Sequence, residues 1–230
     1  MNLEKFIEEN KKIGINIDQQ KLNKLEKFYN LLVEWNNKIN LTRIIEKEDV
    51  YLKHFYDSLT INKVINLNEA ETLCDVGTGA GFPGIVLKIV FPNLKITLID
   101  SLNKRINYLN EIIKELELKD IEAIHTRVED YAKNNREKYD VVTSRAVANL
   151  KLLSELCIPM VKVNGYFIPM KANVDEEINE SKEILKNLKS EIEHRETFNL
   201  PIENSLRNIL LIKKTEKTNP IYPRRIDKIK

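Results

Sequence analysis

The stretch LCDVGTGAGFPG, residues 73–84, holds four of the six glycines in this chain of 230 residues. Apolar residues lead into it, as expected for a buried strand that ends at Val76. A sharp turn from that strand into a helix favours glycine, because glycine adopts positive φ and lets a ligand approach the backbone without a Cβ in the way. Pro83 suits the first turn of the following helix, where its missing N–H would be unbonded. The stretch therefore predicts a ligand-binding loop at the carboxyl end of a central strand.

The composition is typical of one soluble domain with an extension. Charged residues make up 31% and hydrophobic residues 42% of a chain long enough to bury a core. No apolar run approaches the roughly 20 residues of a membrane helix, and the first residues lack the pattern of a signal peptide. We therefore expect a cytoplasmic protein, with Cys74 and Cys157 as buried thiols in a reducing compartment. The net charge of +2 does not by itself indicate a nucleic-acid partner.

Helical spacing dominates residues 1–68, which we expect to form a helical N-terminal extension. Asp18 is a predicted N-cap. Apolar residues follow it at helical spacing: Leu22, Leu25, Phe28, Tyr29 and Leu32. A second helix is predicted over residues 47–64, with one stripe formed by Val50, His54, Asp57 and Ile61.

From residue 71, short β-rich runs alternate with helical segments, a pattern typical of a parallel sheet covered on both faces. The predicted strands span residues 71–76, 95–100, 121–125, 139–143, 165–170, 191–200 and 207–213. The last two have no long helix between them, so we expect an antiparallel hairpin at the end of a seven-stranded, mostly parallel sheet. This α/β domain is predicted over residues 69–214. The basic tail, residues 215–230, is interrupted by Pro220 and Pro223 and is expected to add nothing to the core.

The spacing of the glycine loop distinguishes two classes of cofactor. Dinucleotide sites use G-x-G-x-x-G and hold a pyrophosphate at a helix N-terminus, whereas Gly77, Gly79 and Gly81 stand at alternate positions here. Asp75 lies two residues before the first of them, where a carboxylate would repel a phosphate. S-adenosylmethionine has no phosphate, and its amino group and sulfonium gain from nearby negative charge. We therefore expect an S-adenosylmethionine site, with a nicotinamide-dependent oxidoreductase as the less favoured alternative.

Acidic residues also follow the second and third predicted strands. Asp100 ends the second strand, where its two oxygens could accept both ribose hydroxyls; the alternative is that it only caps the next helix. Glu129 and Asp130, in RVEDY after the third strand, can reach the adenine end of the same ligand. Acids after three successive strands together predict a methyl-donor site.

Six motifs in consistent order resemble one known family. They are NLTRI, HFYDSL, DVGTGAGFPG, LIDSLNKR, RVEDY and SRAVANL, and the similarity runs from about residue 31 to residue 214. The chain resembles the small-subunit ribosomal RNA N7-guanine methyltransferase G family, also called glucose-inhibited division protein B. The resemblance implies the Rossmann-like class I S-adenosylmethionine-dependent methyltransferase fold and methyl transfer to N7 of one guanine in 16S ribosomal RNA. By motif it implies cofactor contacts at Gly77, Phe82, Val128, Glu129 and Arg145.

Guanine N7 has a lone pair and no proton, so its methylation needs neither a general base nor a covalent intermediate. Arg145 and Lys171, at the ends of the fourth and fifth strands, are the predicted catalytic residues, in a positioning role. They would hold O6 or a flanking phosphate, since N7 and O6 form one acceptor edge; ordinary surface cations are the alternative. His54 and Asp57, with Ser58, could face the cofactor loop or form a structural hydrogen-bond cluster. No metal site is expected.

RNA contacts are expected at dispersed cations, through pairing with phosphates: Arg43, Lys53, Lys104, Arg105 and the basic tail. The expected partner is 16S ribosomal RNA, either free or in the assembled small subunit, and we expect a monomer. A non-catalytic RNA-binding protein with the same fold is the second alternative. Binding of a methyl donor without transfer to ribosomal RNA would favour it.

Overall fold

Seven strands form one sheet in the computed structural model, which describes residues 1–145 and 148–229. The strands are β1 (Thr72–Val76), β2 (Lys95–Asp100), β3 (Ile121–His125), β4 (Tyr139–Arg145), β5 (Val161–Lys171), β6 (Ser190–Asn199) and β7 (Leu206–Lys214). Their order across the sheet is β3-β2-β1-β4-β5-β7-β6. β7 is antiparallel to both of its neighbours, and the other neighbouring pairs are parallel. The predicted mostly parallel sheet with an antiparallel C-terminal hairpin is confirmed.

β5 differs from its predicted span, because it begins at Val161 rather than at residue 165. Gly165 lies inside the strand, at a point where β5 passes close to β4. A Cβ at this position would lie 2.7 Å from the backbone oxygen of Asp140. This glycine therefore permits close packing of two strands and does not mark the start of one.

Helices precede the sheet and connect its parallel strands. They are α1 (Leu3–Lys12), α2 (Gln19–Ile39), α3 (Lys47–Val50), α4 (Asp57–Leu59), α5 (Gly84–Val90), α6 (Asn103–Glu115), α7 (Val128–Asn134), α8 (Leu150–Cys157) and α9 (Asp175–Asn187). Asp18 caps α2 as predicted, since its carboxylate accepts the backbone N–H of Lys21 at 2.9 Å. Among the described helices, none has both the length and the apolar character needed to cross a membrane.

One continuous helical segment, residues 47–63, stands where the second helix is predicted. Its hydrogen bonding changes along its length: α3 leads into a π-helix over Tyr51–Tyr56, then into α4, and then into a 3₁₀ turn over Thr60–Lys63. The predicted stripe is buried at all of its positions: Val50, His54, Asp57 and Ile61. π-helical turns are rare and occur frequently at functional sites, and this one includes His54.

Hydrophobic cores cover both faces of the sheet. On one face α5 and α6 pack with the N-terminal extension, where the ring centroid of Phe28 lies 5.6 Å from that of Phe55 and 5.5 Å from that of Phe82. The other core includes residues of α7, α8 and α9 together with Cys74 and Cys157, which are buried free thiols as predicted. The extension therefore shares a core with the sheet.

The expectation that the tail adds nothing to the core is wrong. Ile229 is 5% exposed and belongs to the core that contains α8. Glu155 of α8 is fully buried, and its carboxylate accepts hydrogen bonds from Arg224 through the backbone N, Nε and Nη2, at 2.6–2.9 Å. Arg136 donates to the backbone oxygen of Thr218 at 2.6 Å. The tail's prolines and charges look like those of a surface segment, so the sequence gives no sign of this packing. The partner of Arg224 lies 69 residues earlier.

Replacing Arg224 with alanine should destabilise the protein, because the Glu155 carboxylate would be left buried without its partner. We expect the free energy of unfolding to fall by about 2–4 kcal/mol. Urea denaturation followed by circular dichroism measures this change. The neighbouring Arg225 is mostly exposed and pairs with exposed Asp227, so Arg225→Ala should change the unfolding free energy by less than about 0.5 kcal/mol. Equal losses in the two variants would contradict the assignment.

Candidate active site

The glycine loop turns between β1 and α5 as the sequence predicts. Gly77, Gly79 and Gly81 all have positive φ, between 60° and 95°. A Cβ on Gly81 would lie 2.6 Å from the side chain of Ile85, so the turn packs directly on the following helix. Pro83 is the residue before that helix, which begins at Gly84, one position later than expected. The loop therefore exposes backbone at the carboxyl end of the central strand.

Asp75 does not line a cavity at this loop, although the sequence predicts a ligand contact for it. Its side chain is fully buried beneath the loop, where Oδ2 accepts the backbone N–H of Gly84 at 2.8 Å. The carboxylate therefore holds the start of α5. Burial raises the pKa of Asp75 to about 6, and the hydrogen bond from the N–H of Gly84 acts in the opposite direction.

A cavity of about 420 Å³, which we call the loop cavity, lies above the glycine loop. Its walls come from the loop, the end of β2, the end of β4 and the helical segment 47–63. The predicted site residues that line it are Gly77, Gly79, Phe82, Asp100 and Arg145, and His54 lies among them. Predicted cofactor residues from the loop, β2 and β4 are thus brought together at one cavity.

Asp100 lies at the loop cavity and also close to the start of α6, so its position suits either role that the sequence left open. It lines the loop cavity, and its Oδ1 accepts the backbone N–H of Leu102 at 2.9 Å, just before α6. Its Oδ2 accepts the N–H of Gly79 at 3.0 Å and an N–H of Arg105 at 3.2 Å. The carboxylate is therefore almost saturated, with its remaining acceptor capacity mainly on Oδ1.

Val128 and Glu129 do not line the loop cavity, although the resemblance implies cofactor contacts there. They begin α7 after β3, the edge strand beyond β2. Glu129 is 8% exposed, and its carboxylate lies 3.9 Å from the guanidinium of Arg127. The adenine contact of these residues stays a prediction.

His54 is held between an aromatic ring and a cation. Its ring stacks on Phe82 with 4.3 Å between centroids and 12° between planes. Nδ1 lies 3.1 Å from an amino nitrogen of Arg145, which can only donate, so Nδ1 accepts and the neutral ring has its proton on Nε2. Nε2 lies 2.9 Å from the hydroxyl of Thr42. Burial, and then the charge of Arg145, lower the pKa of His54 to about 3.

One buried carboxylate links two arginines beside His54. Oδ2 of Asp57 accepts from Nη1 of Arg145 at 2.9 Å, and Oδ1 accepts from Nε of Arg207 at 2.9 Å. We call these three side chains the Arg–Asp–Arg bridge. Arg145 also donates to the backbone oxygen of Lys53 at 3.0 Å, and its guanidinium lies 5.3 Å from the ring centre of Phe82. His54 and Asp57 thus line the site and also tie the helical segment to the sheet.

Arg207 is absent from the residues predicted by sequence. A single arginine at the start of the last strand resembles a surface cation, and nothing in its spacing connects it with the helical segment. Only the sheet order brings it to the site, because β7 lies beside β5 rather than at the edge.

A second cavity, of about 640 Å³, lies at the carboxyl ends of β4 and β5 and at the start of β7, and we call it the strand-end cavity. It shares His54 and Arg145 with the loop cavity, so these side chains form a common wall. Its other charged residues are Lys53, Asp57, Lys171, Glu177 and Arg207, and Met170 and Ile209 give it apolar surface. A ligand with a negatively charged group and an apolar part suits this lining.

Lys171 lines the strand-end cavity, but its ammonium group already contacts other residues. Its ammonium lies 2.8 Å from the carboxylate of Glu177 and donates to the backbone oxygen of Ala148 at 2.7 Å. Glu177 also accepts the backbone N–H of Leu150 at 2.6 Å. Lys171 therefore holds the backbone at Ala148, and a catalytic role for it stays a prediction.

Cations expected to contact RNA fall into two groups. Lys53 and Arg105 line the cavities, and Arg43 and Lys104 are exposed. In the described ranges 1–145 and 148–229, no cluster of three or more His, Cys, Asp or Glu side chains is arranged to hold a metal ion.

Residues 21–206 match a family model described as rRNA small subunit methyltransferase G. The chain belongs to this family. Ribosomal RNA small subunit methyltransferase G of Bacillus subtilis is 48% identical over 228 residues, covering 98% of this chain and 95% of the relative. The protein of the same name from Bacillus cytotoxicus is 50% identical, with the same coverage. The family expected from the six motifs is thus confirmed.

Solved structures confirm the predicted class I methyltransferase fold. A SAM-dependent O-methyltransferase from Thermotoga maritima has a TM-score of 0.55 at 14% identity, covering 82% of this chain and 73% of that chain. M. jannaschii TYW2 in complex with AdoMet has a TM-score of 0.53 at 18% identity, covering 65% and 70%. Such low identities show the fold alone. The nicotinamide-dependent oxidoreductase finds no support in these comparisons.

In this member of the methyltransferase G family, His54 should make stability depend on pH. Its pKa is near 3 in the folded protein and about 6.5 in an unfolded chain. The unfolded chain therefore binds a proton that the folded protein excludes, and the stability contributed by the neutral ring is complete above pH 6.5 and falls as the pH decreases towards 3. Between pH 7 and pH 5 we expect His54 to account for a loss of about 2 kcal/mol.

Urea denaturation at pH 7 and pH 5 tests this prediction. His54→Gln removes the titration and keeps an acceptor for Arg145, so its loss on acidification should be smaller than that of the wild type. His194 is exposed, and His194→Gln serves as the matched control, with the wild-type loss. An unchanged pH dependence in His54→Gln would show that the imidazole binds its proton equally well in the folded and the unfolded protein, and would contradict the prediction.

Proposed function

We propose that this protein transfers a methyl group from S-adenosylmethionine to N7 of a guanine in 16S ribosomal RNA. Two cavities that share the wall formed by His54 and Arg145 support this proposal above all. A transfer between two ligands requires adjoining sites, and here the loop cavity adjoins the strand-end cavity. Membership of the methyltransferase G family agrees with this assignment.

The loop cavity has groups suited to a nucleoside cofactor such as S-adenosylmethionine. Asp100 supplies a carboxylate for ribose hydroxyls, and the glycine loop leaves room because it has no Cβ at three positions with positive φ. His54 is neutral at physiological pH, since its pKa is near 3, so it does not repel a sulfonium. The volume of about 420 Å³ lies within the range of ligand pockets. S-adenosylmethionine supplies an electrophilic methyl group when bound.

The residues of this chain position the acceptor rather than move a proton. Guanine N7 presents a lone pair, so no base is required. The groups at the common wall are not available to act as a base. Asp57 is occupied by two arginines, and His54 is neutral with Nδ1 occupied by Arg145. Arg145 lines both cavities, and its guanidinium can donate to O6 of guanine while the lone pair of N7 stays free to attack the methyl group. Correct alignment of two reactants supplies about 7–11 kcal/mol in favourable cases.

Methyl transfer to ribosomal RNA tests the function directly. Small subunits and naked 16S RNA, both from cells lacking the enzyme, are incubated with radiolabelled S-adenosylmethionine, and the labelled base is mapped. We expect one labelled guanine, modified at N7. The comparison of the two substrates identifies whether the protein acts on free RNA or on the assembled subunit. Donor binding without transfer to either substrate would favour the non-catalytic RNA-binding alternative.

Asp100 and Arg105 should affect donor binding in opposite directions. Asp100→Ala removes the acceptor for ribose hydroxyls, and we expect affinity for S-adenosylmethionine to fall roughly 10- to 100-fold. Arg105 occupies Oδ2 of Asp100 at 3.2 Å, so a ribose that uses both oxygens must displace it. Arg105→Ala should therefore increase affinity roughly twofold to fivefold. Calorimetric titration measures both values.

The exposed Lys114, also on α6, provides the matched control for these titrations. Lys114→Ala should leave donor affinity at the wild-type value. Weaker binding in Arg105→Ala would show that Arg105 supports the donor-binding conformation of Asp100 rather than competing for it.

Arg145 should matter mainly for the transfer step. Arg145→Ala removes the guanidinium between the two cavities, and we expect kcat to fall about 100-fold while donor affinity changes much less than in Asp100→Ala. Arg145→Lys keeps the charge without the planar fork, so it should restore little activity. Equal losses of donor affinity in Arg145→Ala and Asp100→Ala would place Arg145 in the donor site instead.

A further inference from the structure

The Arg–Asp–Arg bridge has more positive than negative charge. Asp57 is 5% exposed and supplies one carboxylate to two guanidinium groups, those of Arg145 and Arg207. Lys171 does not change the balance, because Glu177 neutralises it at 2.8 Å. Charges removed from water are normally compensated by a partner of opposite sign. The strand-end cavity therefore favours a ligand that brings a negative charge.

Arg207 has hydrogen-bonding capacity left for such a ligand. Its Nε donates to Asp57, and its Nη1 donates to the hydroxyl of Ser205 at 3.2 Å and to the backbone oxygen of Leu206 at 3.0 Å. Its Nη2 has no hydrogen bond to any residue within 1–145 or 148–229. Because three contacts fix the other nitrogens, the remaining donor edge is held in place at the cavity wall.

Lys53 is the second cation available in this cavity. Its ammonium lies 3.4 Å from the carboxylates of both Asp49 and Glu203. Both carboxylates are more than 40% exposed, so these ion pairs contribute little and exchange easily. Glu203 lies between β6 and β7, as does Ser205, whereas Lys53 belongs to the helical segment. The Lys53–Glu203 pair thus joins two elements that line or border the cavity.

We propose that Arg207 and Lys53 bind a backbone phosphate next to the target nucleotide, while Asp57 holds Arg207 and Arg145 in fixed relative positions. The inference rests on the proposed function, since it assigns the phosphate to an RNA substrate. A phosphate brings the missing negative charge and accepts from the free Nη2 edge and from an ammonium together. The apolar surfaces of Met170 and Ile209 are left for the base. Glu203 must release Lys53 when the phosphate binds.

The salt dependence of RNA binding tests the phosphate contact without requiring catalysis. Wild-type protein and Arg207→Gln are titrated with 16S RNA from cells lacking the enzyme, at several salt concentrations, by filter binding. Each phosphate contact to single-stranded RNA contributes about 0.7 to the slope of log K against log salt. Arg207→Gln should bind more weakly and lose about that amount of slope. An unchanged slope would overturn the proposal.

Two variants complete this experiment. Lys95 stands at the start of β2, at the amino ends of the parallel strands and away from the strand-end cavity, and is exposed; Lys95→Gln is the matched control and should keep the wild-type slope and affinity. Glu203→Gln releases Lys53 from a competing carboxylate, so RNA binding should become tighter. Weaker binding in Glu203→Gln would contradict the exchange of Glu203 for a phosphate.

Small probes separate a phosphate site from a purely structural role of Arg207. Competitive inhibition of RNA binding is measured with guanosine, guanosine 5′-monophosphate and guanosine 3′-monophosphate. We expect one monophosphate to inhibit at least tenfold better than guanosine, and Arg207→Gln to abolish that difference with guanosine unaffected. If Arg207→Gln lowers the melting temperature and weakens all three probes alike, Arg207 is structural and the proposal fails.

The outcomes distinguish this proposal from the proposed function. Loss of slope in Arg207→Gln with no methyl transfer by the wild-type protein would retain the phosphate site and reject the methyltransferase activity. Methyl transfer by the wild type with an unchanged slope in Arg207→Gln would retain the activity and reject the phosphate site.

Discussion

The carboxylate of Asp57 joins three parts of the chain that are distant in sequence. Its two oxygens accept from Arg145 of β4 and Arg207 of β7, both at 2.9 Å, and Asp57 itself belongs to the helical segment 47–63. Because the carboxylate is buried, these contacts are shielded from water and hold the N-terminal extension against the sheet. The common wall of the two cavities depends on this arrangement. The extension is therefore a structural part of the site as well as of the core.

The chemistry at that wall follows from charge and burial. Arg145 donates to Nδ1 of His54 and Phe82 covers the imidazole face, so the ring stays neutral and cannot add positive charge beside a sulfonium. Asp57 is occupied by two guanidinium groups and is not available as a base. A reaction whose nucleophile already has a lone pair needs neither group to move a proton. The site is suited to alignment of two ligands, which agrees with methylation at guanine N7.

Prediction from sequence succeeded where local patterns have local causes. The glycine loop, the Asp18 cap, the buried stripe of the helical segment and all seven strands follow from backbone conformation and hydrophobic periodicity. It failed where the cause is a distant partner. Gly165 lies inside β5, where the carbonyl of Asp140 leaves no room for a Cβ. The tail is held through its contacts with the buried Glu155. Asp75 faces the start of α5 instead of the loop cavity.

By itself the sequence determined the order of the strands along the chain, the position of the ligand loop and the family to which the protein belongs. These properties are encoded in spacing and in residue types close together in the chain. Only the tertiary structure decided which charged side chains meet. The sheet order places β7 beside β5, and this brings Arg207 to within hydrogen-bonding distance of Asp57, 150 residues earlier. Long-range pairing of charges leaves no periodic signal in a sequence, so the residues that line the strand-end cavity could not be predicted without the tertiary structure.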